Sequence, residues 1–248
     1  MKTAAILWCL GHASGFYLPG VSPREYAQGE RVELKVNKLT STKTQLPYEY
    51  YSLPFCAPDE MQNQAENLGE VLRGDKIMNS NYELKMGVEE SCTILCRKVL
   101  TAEDMQLFAA RIDEDYRVTD MIVDNLPAAT RVVEPATQTS PSRVITIYER
   151  GFPLGFKGSS EIPGTAPGTN YLYNHHQLVF KYHMEPSFEG SRIVGFEVEP
   201  FSVKHQYPTP YDAAKPLGTC TKEKPVTHSL PPQPVKEAGE ILFTYDVR

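Results

Sequence analysis

Glu197 and Glu199 sit two positions apart in a run where Val194, Phe196 and Val198 alternate with polar residues. On a strand that spacing puts both carboxylates on one face, about 7 Å apart. Paired carboxylates at such a separation could serve as the acid and base of glycoside hydrolysis. Period-2 alternation makes the same pattern on any solvated strand face, so the pair alone assigns no reaction. His175, His176 and His183 could ligate a metal, but His175 and His183 share a strand face at too great a distance to hold one ion. Tyr48, Tyr50 and Tyr51, with Phe55 close by, form a candidate recognition surface that could stack on a sugar or meet a partner. The same rings also suit core and edge packing. The Gly-rich segment 151–168 lacks the Lys-Ser/Thr pair of a phosphate-binding loop, and neither His-Glu-x-x-His nor Gly-x-Ser-x-Gly occurs. We assign no catalytic, cofactor-binding or metal-binding residue, and the chain reads as a non-enzyme.

The cysteines suggest structure rather than catalysis. Cys9 falls in the apolar leader described below, which leaves Cys56, Cys92, Cys96 and Cys220, an even count that in a secretory chain implies a disulfide framework. Ser91-Cys92-Thr93-Ile94-Leu95-Cys96 reads as a strand, on which positions four apart share a face at about 13 Å. A disulfide holds Cα atoms roughly 4.4–6.8 Å apart. On a strand Cys92 and Cys96 therefore pair with Cys56 and Cys220, in either order; a turn or helix there would reopen local pairing. Zinc is the rival reading, but one Cys-x-x-x-Cys without a second matched pair is weak support.

The elements that must position these groups are mostly strands. Val32, Leu34 and Val36 alternate with polar residues, as do Tyr82, Leu84 and Met86. Further strands are expected at 116–124, 144–148, 178–183, 192–200 and 240–247. Residues 59–72 read as helical turns ending at Gly74. The clearest helix spans 101–114, where Thr101 and Asp104 form a capping box ahead of a Met105, Leu107, Phe108 and Ile112 stripe. Residues 134–142 and the Gly/Pro-rich 151–168 read as loops, and the Pro-rich 207–238 as an extended surface segment or linker. The fold class is mainly β: an antiparallel β-sandwich-like domain with one or two short helices.

Composition narrows the function further. Hydrophobic residues make up 41% and charged residues 23% of the 248, as in a globular domain, and the net charge of −6 supplies no basic footprint for nucleic acid. Lys2, the apolar run from Ala4 to Leu10 and the small residues Ala13-Ser14-Gly15 predict a signal peptide over residues 1–15, with a lumenal domain over 16–248. No Asn-x-Ser/Thr acceptor occurs. Past the leader no apolar run reaches the 18 or so residues of a membrane span.

Ordered segments along the chain resemble the N-terminal region of the nonaspanins, the transmembrane 9 superfamily. They include Phe16-Tyr17-Leu18-Pro19-Gly20, Tyr50-Tyr51-Ser52-Leu53-Pro54-Phe55-Cys56, Glu66-Asn67-Leu68-Gly69-Glu70, and the Cys92–Cys96 segment. Asp124-Asn125-Leu126-Pro127, Gly151-Phe152-Pro153-Leu154-Gly155, Arg192-Ile193-Val194-Gly195-Phe196-Glu197-Val198 and Phe243-Thr244-Tyr245-Asp246-Val247 continue the pattern. The resemblance implies a lumenal domain followed by nine transmembrane helices in Golgi and endosomal membranes, and a recognition or scaffold role in trafficking and localising membrane proteins. The implied partners are cargo membrane proteins, and the membrane itself through a transmembrane region that this chain lacks. Neither nucleic acid nor a small-molecule substrate is expected. The alternative is a secreted carbohydrate-binding β-sandwich that uses the tyrosine cluster.

Overall fold

The computed structural model describes residues 24–64, 74–134, 145–208 and 217–248, with Gly69, Leu72 and Lys215 besides. The expected leader, the 134–142 loop and much of the expected 59–72 helix lie outside the described residues; the described 59–64 is extended and bridges Asn63 to Met78. The domain is mainly β, as its periodicity predicts. Its centre is a six-stranded sheet in the order Ile145–Arg150, Ala129–Glu134, Arg192–Phe201, His175–His183, Gly239–Val247, Glu90–Leu100. Pairing is antiparallel except for two parallel contacts, Ala129–Glu134 with Arg192–Phe201 and His175–His183 with Gly239–Val247. The sheet is therefore mixed.

Two smaller four-stranded antiparallel sheets share the main core. Leu34–Val36 lies between Met121–Val123 and Met78–Asn79, and Lys38–Thr40 lies between Arg117–Val118 and Tyr48–Glu49. The inward residues Leu34, Val36, Leu39, Val118, Met121 and Val123 join Leu178, Phe196, Ile241, Phe243 and Tyr245 in one apolar cluster. Burying each such side chain contributes about 1.5–3 kcal/mol. The expected strand over 116–124 is broken into two pieces. Met121–Val123 then turns back through Asp124 and Asn125, at φ 48° and 64°, into Leu126–Pro127. Positive φ at both central residues is the geometry of a two-residue hairpin, and short amide or carboxylate side chains tolerate it.

The helix Ala102–Asp113 closes the main core. Thr101 Oγ1 accepts from the Asp104 N–H at 3.2 Å and Asp104 Oδ2 accepts from the Thr101 N–H at 2.9 Å, the capping box expected from the sequence. Met105, Phe108 and Ile112 are buried on its inner face, and Leu107 packs at the edge. The 151–168 segment is more ordered than its glycines and prolines suggest. Phe152–Pro153 and Gly155–Lys157 are short paired strands, and a Cβ on Gly151 (φ +68°) would meet Val118 O at 2.1 Å. Only glycine fits that turn.

Register shifts in two strands change which face a side chain takes. Lys181 pairs with Gly195 but Tyr182 pairs with Ile193, so Val194 is an extra residue. Ile193 is consequently buried and Val194 is 60% exposed, contrary to a regular Val194, Phe196, Val198 alternation. In the Glu90–Leu100 strand the register against Gly239–Val247 slips twice, and Cys92 has φ +58°. Cys96 packs on the main core while Cys92 packs on a second cluster, so the two cysteines do not share a face. An inserted residue shifts the side-chain alternation by one, which moves the following side chains to the opposite side.

Candidate functional site

The disulfides follow from that split. Cys56 pairs with Cys96 (Cα–Cα 5.8 Å) and Cys92 with Cys220 (Cα–Cα 5.6 Å), one bridge on each side of the Glu90–Leu100 strand. Cys92 and Cys96 do not pair with each other, and the structure selects between the two orders left open by the strand argument. The first bridge ties the Tyr50–Cys56 segment to the main core; the second ties down the segment around Cys220.

The tyrosine cluster lies inside this arrangement. Tyr50 is 4% exposed, its ring stacked on Phe55 at 4.5 Å and edge-on to Tyr51 at 5.0 Å. Tyr51 donates its hydroxyl hydrogen to Asn79 O, and Tyr48 lies between Tyr116 and the Arg111 guanidinium, 4.0 Å from its ring centre. Tyr50 presents no ring to solvent, and the partly buried Tyr48 and Tyr51 are spent on packing, so the cluster works as a wall of the core. Glu197 is ion-paired to Lys181 on the neighbouring strand, and Glu199 lies 3.8 Å from the exposed His228.

The histidines separate. His183 is exposed and bonded to Glu185 at 2.8 Å. His175 and His176 are buried on opposite faces of their strand, because successive side chains alternate. His176 faces the main core, with Nδ1 2.8 Å from the Tyr82 hydroxyl and its ring 4.8 Å from Phe152. His175 faces the other side of the sheet, where Thr244 and Asp246 point inward from Gly239–Val247 between the apolar residues Phe243, Tyr245 and Val247.

There a buried polar network forms with Val203, His205 and Thr219. Thr244 Oγ1 stands 2.8 Å from His175 Nδ1 and 2.9 Å from His205 Nε2, and His205 Nδ1 is 3.0 Å from Thr219 Oγ1. One hydroxyl between two rings donates to one and accepts from the other, which links the tautomers of the two histidines. Asn174 Nδ2 donates to Val203 O and Leu242 O, and its Oδ1 accepts from the Val203 N–H, fixing Val203 to the sheet. Asp246 accepts from the Cys92 N–H at 2.6 Å and from Arg248 at 3.3 Å. Burial holds His175 down at about 3 and His176 and His205 at about 4, so all three are neutral at pH 7.

This network combines the residues that sequence reasoning passed over. His205, Thr244, Asp246 and Asn174 are scattered in the chain and carry no motif. Their one signal is Thr244 and Asp246, which place polar groups at alternate positions of an otherwise apolar strand. A ring nitrogen of His175, Cys220 Sγ and an Asp246 carboxylate oxygen lie within 4.8 Å of one another. Cys220 is held in its disulfide, so in the closed state the set offers a metal only two free ligands. His175 Nε2 itself is buried with no hydrogen-bond partner, Asp246 Oδ2 being 3.8 Å away.

The described residues 202–208 and 217–235, which overlap the Pro-rich stretch expected to lie extended on the surface or act as a linker, are fastened by backbone hydrogen bonds rather than free. Lys204 N–H donates to Pro231 O, Leu172 N–H to Gln233 O, and Val235 N–H to Asn170 O. Phe201, Val203, Leu217, Val226 and Leu242 form a second, smaller apolar cluster. No described helix is long and apolar enough to cross a membrane.

Comparison with known proteins gives this domain its place. A family model described as "Endomembrane protein 70" matches residues 47–248. Transmembrane 9 superfamily member 10 of Arabidopsis thaliana is 45% identical over 238 residues, covering 95% of this chain and 36% of the relative. Transmembrane 9 superfamily member 4 of Homo sapiens is 41% identical over 248 residues, covering 94% of this chain and 36% of the relative. The chain thus spans little more than a third of the length of these relatives, and no solved structure matches it. With that identity sustained over nearly all of its length, the chain belongs to the transmembrane 9 superfamily of membrane proteins.

Proposed function

We propose that this domain is the lumenal recognition part of a multi-spanning membrane protein of the Golgi and endosomal system, and that it helps to localise other membrane proteins. The observation that supports a recognition role is the free edge of the central sheet. Among the described residues Ile145–Arg150 pairs only with Ala129–Glu134, and all six of its residues are exposed, including Ile145 at 41%, Ile147 at 39% and Tyr148 at 53%. Native edges are usually blunted, and one that carries apolar side chains is a template for an added strand. An extended lumenal segment of a client membrane protein fits it, its main chain completing the ladder and its alternate side chains meeting Ile145 and Ile147.

The test is Ile147→Lys, which places a charge on the edge and leaves the core untouched. In cells whose own copy has been removed, the variant protein should fold with unchanged melting but leave client membrane proteins as mislocalised as in the null. Normal localisation with the variant would overturn the reading.

A further inference from the structure

We infer that the buried face beneath the Cys92–Cys220 bridge is a redox-gated zinc site, closed while the disulfide is intact and opened by its reduction. The ligands would be His175 Nε2, Asp246 and the sulfurs of Cys220 and Cys92. Four ligands of nitrogen, sulfur and oxygen type are what a structural zinc ion takes.

Three of these groups already converge: a His175 ring nitrogen, Cys220 Sγ and an Asp246 oxygen lie within 4.8 Å of one another, and Nε2 stands 3.8 Å from Asp246 Oδ2. Tetrahedral coordination at about 2.0–2.3 Å needs ligand atoms about 3.3–3.8 Å apart, a contraction of roughly 1 Å. Cys92 supplies the fourth, since its sulfur is bonded to that of Cys220 and its N–H to Asp246. Independently of this convergence, His175 Nε2 is a buried ring nitrogen without a hydrogen-bond partner, on a side chain only 1% exposed. Such an orphaned atom is rare, and here it stands 3.8 Å from the Asp246 carboxylate.

The surroundings have the form of an outer coordination shell. His175 Nδ1 is held by Thr244 Oγ1, which His205 holds in turn, so the ring is oriented with Nε2 toward the other ligands. Two thiolates and a carboxylate leave one negative charge in excess over Zn²⁺, and Arg248 beside Asp246 balances it.

The chemistry closes without a hidden reactant. A dithiol supplies two electrons and two protons, the Cys92–Cys220 sulfur–sulfur bond breaks, and the dithiol becomes a disulfide. Zinc then binds both sulfurs and releases their two protons. The site would serve as a clasp that keeps the 217–220 segment on the sheet when the covalent clasp is gone.

The experiment uses the full chain with Cys92→Ser, which frees Cys220 and leaves Cys56–Cys96 intact. Titration with Co²⁺ should give one equivalent bound, a sulfur-to-cobalt charge-transfer band, and displacement by Zn²⁺. Adding His175→Ala should weaken binding roughly tenfold or more, and the intact wild type should bind no equivalent. A folded Cys92→Ser chain that takes up no more cobalt than Cys92→Ser/Cys220→Ser overturns the site, as does uptake indifferent to His175→Ala. Should Cys92→Ser fail to fold, dithiol-treated wild type takes its place: zinc should preserve its fold in a His175-dependent way, and no such protection also overturns the site.

Discussion

The two sides of the six-stranded sheet are closed by different means. One side meets the helix and the two small sheets through an apolar cluster that includes Phe108, Phe196 and Phe243, with Cys56–Cys96 at its margin. The other meets an extended, proline-rich segment through a small apolar cluster, a histidine–threonine–asparagine network and Cys92–Cys220. Regular elements can cover an apolar face because they satisfy their own backbone groups. An extended segment cannot, so it needs polar partners such as Asn174, which meets Val203 through both its amide oxygen and nitrogen. The side that holds a loop in place is therefore also the side where titratable groups are buried.

Acidity should separate the two sides most strongly. Three buried imidazoles have folded-state values near 3 to 4 against about 6.5 when unfolded, so below pH 6.5 the unfolded chain binds protons that the folded chain refuses. Stability is unaffected above that point and falls as the pH drops from 6.5 toward 4. Going from pH 7 to 5 should cost about 2 kcal/mol per histidine. Two of the three lie on the polar side, so His205→Gln should ease the slope by roughly a third in urea melts taken across that range. A slope unchanged by that substitution would move the acid sensitivity elsewhere.

Next in size is Phe243→Ala, which opens a cavity on the apolar side where the ring is 2% exposed. It should cost about 3–5 kcal/mol, equally at pH 7 and pH 5, as read by urea unfolding. A pH-dependent cost would show that the two sides are coupled through their shared strand. Smaller is Thr244→Val, one residue along the same strand and on the polar side. It nearly preserves volume but leaves His175 Nδ1 and His205 Nε2 unpaired, for about 1–3 kcal/mol. A neutral result would mean that water replaces the hydroxyl.

Much of the apolar side was legible in the sequence. Val32, Leu34 and Val36, then Tyr82, Leu84 and Met86, announced buried strand faces by their alternation, and every one of them is buried. The Thr101 and Asp104 box marked the helix start to the residue. The polar side was nearly silent. His175 and His176 looked like a pair, and only the strand's alternation sends them to different faces. His205 reaches Thr244 across 39 positions of chain, a distance no local pattern records.

The sequence alone determined the β class and the family resemblance, because each rests on residue type and short-range spacing. Tertiary structure decided which cysteine takes which partner, that Tyr50 faces inward, and that Val194 faces out. Those outcomes depend on register shifts in two strands and on contacts between distant segments. A single inserted residue reverses a face, and periodicity cannot reveal the insertion until the partner strand is in place.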